Sequence, residues 1–145
     1  MENKIQPQQL GLVSDLMKAI DNDDVELFLE TLCREDRSYI YGAFKALQSN
    51  GYEELTLENW EKESFRKIKE KFKDNKGDYG VVPQVRYHDK LTGDIFLQKA
   101  SKDGSPNIEE TEIKYITLPV ILQTSLTEDD EIVGEWKLSL FVSEA

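Results

Sequence analysis

One cysteine and one histidine, Cys33 and His88, occur in 145 residues. A single thiol excludes an intramolecular disulfide. A single imidazole excludes the paired spacings His-x-His and His-x-x-x-His, so any metal would have to be held mainly by carboxylates, and no metal site is expected. No apolar run approaches the roughly 20 residues that span a bilayer. The opening Met-Glu-Asn-Lys-Ile-Gln-Pro-Gln-Gln lacks the apolar stretch of a signal peptide. Positive charge is scarce, with 18 lysines and arginines against 29 acids and a net charge of −11. A field of that sign repels phosphate backbones and anionic lipid. Nucleic acid and membrane are therefore not expected partners, and the expected setting is the reducing cytoplasm. A Gly-rich phosphate loop and a serine nucleophile elbow are also missing, so no cofactor is implied.

What is present is an ordinary globular composition, 39% hydrophobic, in a chain long enough for one domain with a real core. Its first half has helical periodicity. Pro7 suits a first turn, and Leu10, Val13, Leu16, Met17 and Ile20 follow at helical spacing. Asp21-Asn22-Asp23 breaks the pattern, and Asn22 or Asp23 is suited to cap the next helix, whose stripe is Val25, Phe28, Leu29 and Leu32. Cys33 beside it reads as a small core residue; a reactive thiol needs an electropositive setting, against which Glu30 and Glu35 argue while Arg34 and Arg37 leave it open. A third helix is expected over 36–48, carrying Ile40, Phe44 and Leu47. Asn50 or Gly51 suits its left-handed end. Thr56 then caps a fourth helix over 57–73, with Leu57, Trp60, Phe65, Ile68 and Phe72 on one arc. Lysines and Arg66 crowd 62–76, interleaved with acids, as on a solvated helix face.

After Asp74-Asn75-Lys76-Gly77-Asp78, which reads as a turn, the period drops to two. Strands are expected over 81–87, 95–100, 111–126 and 132–143, with hairpin turns at 89–94 and 127–131 and a loop at 101–107. Pro119 interrupts the third strand and predicts a bulge or bend. Helices followed by strands give an α+β domain, with three or four N-terminal helices on a curved, mostly antiparallel C-terminal sheet.

The run Leu16-Met17-Lys18-Ala19-Ile20-Asp21-Asn22-Asp23-Asp24-Val25-Glu26-Leu27-Phe28-Leu29-Glu30-Thr31-Leu32 and the closing Gly134-Glu135-Trp136-Lys137-Leu138-Ser139-Leu140-Phe141 resemble the opening helices and last strand of the nuclear transport factor 2-like superfamily. The helical reading of 35–48 departs from that family, which usually has a strand or turn between its second and third helices. The resemblance implies a cone-shaped pocket lined by aromatic residues, with Tyr41, Trp60, Tyr87 and Tyr115 as its lining and Arg86 and Glu112 as charged neighbours. Enzymes of that superfamily use an acidic base or a His–Asp pair there, which makes His88 the candidate general base. Its sequence neighbour Asp89 points to the opposite side of a strand.

Three functions follow as expectations: a non-enzymatic module binding a small apolar ligand or a protein, homodimeric through its sheet; a small enzyme using His88 or a buried carboxylate as base; or an acidic inhibitor of the immunity type that neutralises a basic partner. Apolar residues of the last strands, Phe141 among them, motivate the dimer, and the net charge motivates the inhibitor.

Overall fold

The computed structural model describes residues 3–72, 79–99 and 115–142. The turn expected at 74–78, the loop at 101–107 and the start of the third strand at 111–114 lie outside the described residues.

Four helices precede four strands. Helix α1 (Pro7–Asn22) ends where Asp23 adopts a left-handed conformation, φ 53°. The cap of α2 (Val25–Thr31) is Asp24, one residue beyond the expected pair, and its carboxylate accepts the Leu27 N–H at 3.1 Å. The shift has a simple cause: Asp23 is occupied in closing α1. Helix α3 (Arg34–Ser49) starts two residues earlier than its apolar stripe suggested, and Gly51 takes the left-handed position after it at φ 108°. Helix α4 (Leu57–Lys69) is capped by Thr56, whose hydroxyl accepts from the Asn59 N–H at 3.2 Å. It tightens into a 3-10 turn at Glu70–Phe72.

Strands β1 (Tyr79–Tyr87), β2 (Thr92–Lys99), β3 (Tyr115–Leu126) and β4 (Ile132–Leu138) form an antiparallel meander in the order β1-β2-β3-β4. The sheet curls into a half-barrel. Its two outer strands come close enough that the rings of Tyr87 on β1 and Trp136 on β4 are 6.0 Å apart. The first turn of α1 bridges that gap. Gln6 and Gln9 each donate a side-chain N–H to the Tyr87 hydroxyl, at 3.0 and 3.1 Å, and Gln8 accepts the Trp136 N–H at 2.8 Å.

Cross-strand register sorts the strand residues between two faces. Val85, Ile95, Leu97, Leu118, Val120, Trp136 and Leu138 join Leu12, Leu16, Phe28, Phe65 and Phe72 in one continuous core on the concave face. Phe28 and Phe65 stack at 4.6 Å between ring centres. Ile116 and Leu122 pack against the same core, so the apolar run of β3 finds its cover within the fold.

Two expectations are corrected. Register runs unbroken through Pro119, which pairs with Asp94 on β2; the irregularity lies between Val81 and Val85, around Pro83. Pro119 is tolerated because its missing N–H faces β4 just beyond that strand's end at Leu138, where its carbonyl still accepts the Ser139 amide at 2.8 Å. Strand β4 ends at Leu138 rather than at 143. The buried Asp36 carboxylate draws the amides of Leu140, Phe141 and Val142 away from the sheet, at 2.6, 3.0 and 3.1 Å. The Phe141 ring then stacks at 6.3 Å on Tyr39 of α3, so it is partly covered within the monomer.

Candidate functional site

The opposite, convex face of the sheet carries the polar residues of β1 and β2. Arg86 and Asp94 are directly paired across these strands, and Asp94 in turn faces Pro119. The Asp94 side chain is 9% exposed. A buried carboxylate is costly unless it is hydrogen-bonded and paired, and two cationic or polar groups converge on its Oδ2. Arg86 Nη2 donates to it at 2.9 Å, and His88 Nε2 lies 2.8 Å from it. Both partners remain more than half exposed, at 63% and 52%. The Arg86 guanidinium also lies over the Phe96 ring, 5.1 Å from its centre.

These groups floor a groove of about 760 Å³. Thr92, Thr117, Pro119 and Ile121 continue the floor, while Glu35 of α3 and Val142 of the C-terminal segment also line it. Asp36 fixes that segment in place by holding three consecutive amides. Burial pushes the Asp36 carboxyl above the usual aspartate range, against the pull of those amides. Asp89 does not serve the histidine. Its carboxylate orders the hairpin loop by accepting the N–H groups of Leu91 and Thr92, at 2.8 and 2.9 Å, and the bond from Leu91 leads in holding its pKa below the usual range.

The expected pocket residues are dispersed. Arg86 and His88 share the convex groove, whereas Tyr87 faces the α1 terminus on the concave side. Tyr41 lines a separate depression between α3 and the start of α4, with Arg37, Leu57 and Glu61. Trp60 is partly buried and donates its Nε1–H to the Ile40 carbonyl at 3.0 Å. Glu112 lies outside the described residues, as does the Tyr115 side chain. Asp94 was missed by sequence reasoning because it sits in what reads as hairpin turn. The available signal was two-residue pairing across that turn, which places Asp94 opposite Arg86.

Cys33 is buried, and burial above all raises its thiol pKa. No group of three metal-ligating side chains converges among the described residues. No helix among them is long and apolar enough to cross a membrane. Comparison with protein-family models, curated proteins and solved structures gives no match.

Proposed function

We propose that this chain is a non-enzymatic binding module of nuclear transport factor 2-like build, and that the convex groove over Asp94 takes a small amphipathic ligand. The observation that carries this reading is the groove's composition. An apolar strip of Pro119, Ile121 and Val142 runs beside the polar groups of Arg86 and His88, which one buried carboxylate holds in place. A concave site with apolar lining and a few oriented polar groups is the usual form of a small-molecule site. The build is supported by the helix pair, the curled sheet, and the parallel bridge between Leu32 and Leu138. That bridge falls between α2 and α3, where the superfamily usually has a strand or turn.

The test is protein-observed NMR with a panel of small carboxylic acids and amines bearing apolar tails. Binding in the groove shifts the His88 imidazole and the Ile121 methyl together, and Ile121→Glu abolishes the shifts. Compounds that bind elsewhere, or a panel that leaves both signals in place, overturn the reading.

The enzyme reading has one specific observation in its favour, the contact between His88 and Asp94. Against it, Arg86 shares the same Oδ2 and with it the carboxylate's charge, and the sole thiol is buried. A groove ligand turned over by the native chain but not by His88→Gln would favour the enzyme.

A further inference from the structure

The half-barrel has two outer edges, and part of each is covered. On β1, the Val85 N–H donates to the Asn3 carbonyl at 2.7 Å, and the Ile5 N–H donates to the Pro83 carbonyl at 2.9 Å. On β4, the Trp136 N–H meets Gln8, and the Leu138 carbonyl accepts the Cys33 N–H at 2.8 Å. Backbone groups alternate in direction along an antiparallel strand. Trp136 and Leu138 point outward, so Ile132 and Gly134 also present their N–H and C=O outward. Among the described residues, no hydrogen bond closes this first half of β4.

Three apolar side chains stand at the same place. Ile132 is 75% exposed, Leu126 69% and Val133 46%. Natural edges are usually blunted by lysine, proline or a bulge, and Ile132–Glu135 has none of these. The neighbourhood is strongly negative. Glu128, Asp129, Asp130 and Glu131 form the turn and Glu135 follows on the strand, against two basic groups nearby: Lys137, 3.6 Å from Glu135, and Arg34, which donates to the Thr124 carbonyl on β3.

We propose that the open edge Ile132–Glu135 is a docking site for an extended, lysine- or arginine-bearing segment of a protein partner, which adds to the sheet as a fifth strand. Backbone chemistry selects an extended chain, because only a strand satisfies alternating donors and acceptors along an edge. Charge selects its sign. A second copy is the competing occupant, and the register disfavours it. Two-fold antiparallel pairing through Ile132 and Gly134 sets Val133 opposite its own copy and Glu131 opposite Glu135 at both ends. Like charges directly opposed across a ladder destabilise it. A basic strand in the same register meets acids instead.

The probe is a blocked peptide of alternating lysine and valine, with alternating glutamate and valine as its control, added to the full chain and followed by amide NMR. The lysine peptide is expected to shift the Ile132 and Gly134 amides, and raising salt from about 0.05 to about 0.5 M is expected to weaken it, because exposed charges are screened. Ile132→Pro removes one outward donor and leaves the β3 ladder intact, since that amide faces away from β3. It is expected to weaken the peptide about tenfold, the worth of one hydrogen bond. Glu131→Lys, a surface change that keeps the fold, lowers affinity for the lysine peptide. Three results overturn the proposal: no binding; shifts spread over the acidic surface without the two edge amides, or unaffected by Ile132→Pro; and edge shifts that grow with protein concentration alone, which would assign the edge to a second copy.

Discussion

The Asp36 carboxylate, in the first turn of α3, accepts the Leu140 N–H at 2.6 Å across a sequence separation of 104 residues. With the amides of Phe141 and Val142 on the other oxygen, it ends β4 and shapes the edge of the convex groove. Asp36→Ala leaves three converging donors without an acceptor, and should cost about 3 kcal/mol in chemical denaturation. Asp36→Asn should do little better, because its NH₂ group must face at least one of those donors. Val142, which lines the groove, should lose protection in hydrogen exchange in both variants.

The same group predicts a pH dependence. Burial raises the Asp36 pKa above its unfolded value. The folded state therefore binds this proton more tightly than the unfolded state. Its stabilising contribution is complete below the unfolded pKa and is lost as pH rises through the folded pKa. The exposed Asp23, Glu63 and Asp89 have lowered pKa values and act in the opposite sense, losing their contribution as pH falls. Subtracting the Asp36→Asn variant from the native chain isolates Asp36. The gap between their stabilities should widen as pH falls from neutrality into the carboxylate range. A narrowing gap would mean that the three amides outweigh burial.

Gly93 faces a crowded backbone. A Cβ built there would lie 3.0 Å from the Arg86 carbonyl oxygen and 3.2 Å from the Tyr87 ring. The carbonyl belongs to a paired strand and cannot move freely. Gly93→Ala should cost about 1–3 kcal/mol, the usual range for overpacking. The Tyr87 ring should move with it, seen as altered ring-current shifts beside Trp136.

Much of this fold is legible in residue order. Thr56 at its cap, Gly51 after α3 and the alternation of β1 are local signals, read from spacing and backbone preference. Asp36 is different. In sequence it is an ordinary acid near a helix start, and its role depends on amides 104 to 106 residues away. The end of β4 differs from its expected place for the same reason, since Leu140 and Val142 continue the apolar face of Trp136 and Leu138. The groove was half visible: Arg86 and His88 stood out as polar residues beside a turn, whereas Tyr87 between them had to face the other side. Tyr41 and Trp60 could not be placed from periodicity, because nothing local tells a helix face against the sheet from one against another helix.

Gln9 is fully buried, and its Nε2 donates to the Tyr87 hydroxyl at 3.1 Å. Tyr87→Phe keeps the ring against Trp136 and removes the hydroxyl to which Gln6 and Gln9 both donate. The Gln9 amide is then stranded, at a cost of about 1–2 kcal/mol. Gln9→Leu should also destabilise, since Gln9 Oε1 accepts the Gln6 N–H at 2.9 Å. The double variant should lose less than the sum of the two, because the stranded Gln9 amide of Tyr87→Phe is gone, while the Gln6 N–H still lacks its acceptor.

Asp94 Oδ2 can only accept, and His88 Nε2 lies 2.8 Å from it, so the neutral imidazole should carry its hydrogen on Nε2 and leave Nδ1 as an acceptor. Nitrogen-15 shifts of the ring report the tautomer directly. In Asp94→Ala the preference should relax toward that of a free imidazole, while global stability changes by no more than about 1 kcal/mol. The change is small because His88 and Arg86 are both more than half exposed and water can replace the lost partner. An Nδ1–H tautomer in the native chain would mean that the pair forms only when the histidine is charged. A large loss of stability in Asp94→Ala would instead make Asp94 a structural tie between β1 and β2, with the groove above it a by-product of that tie.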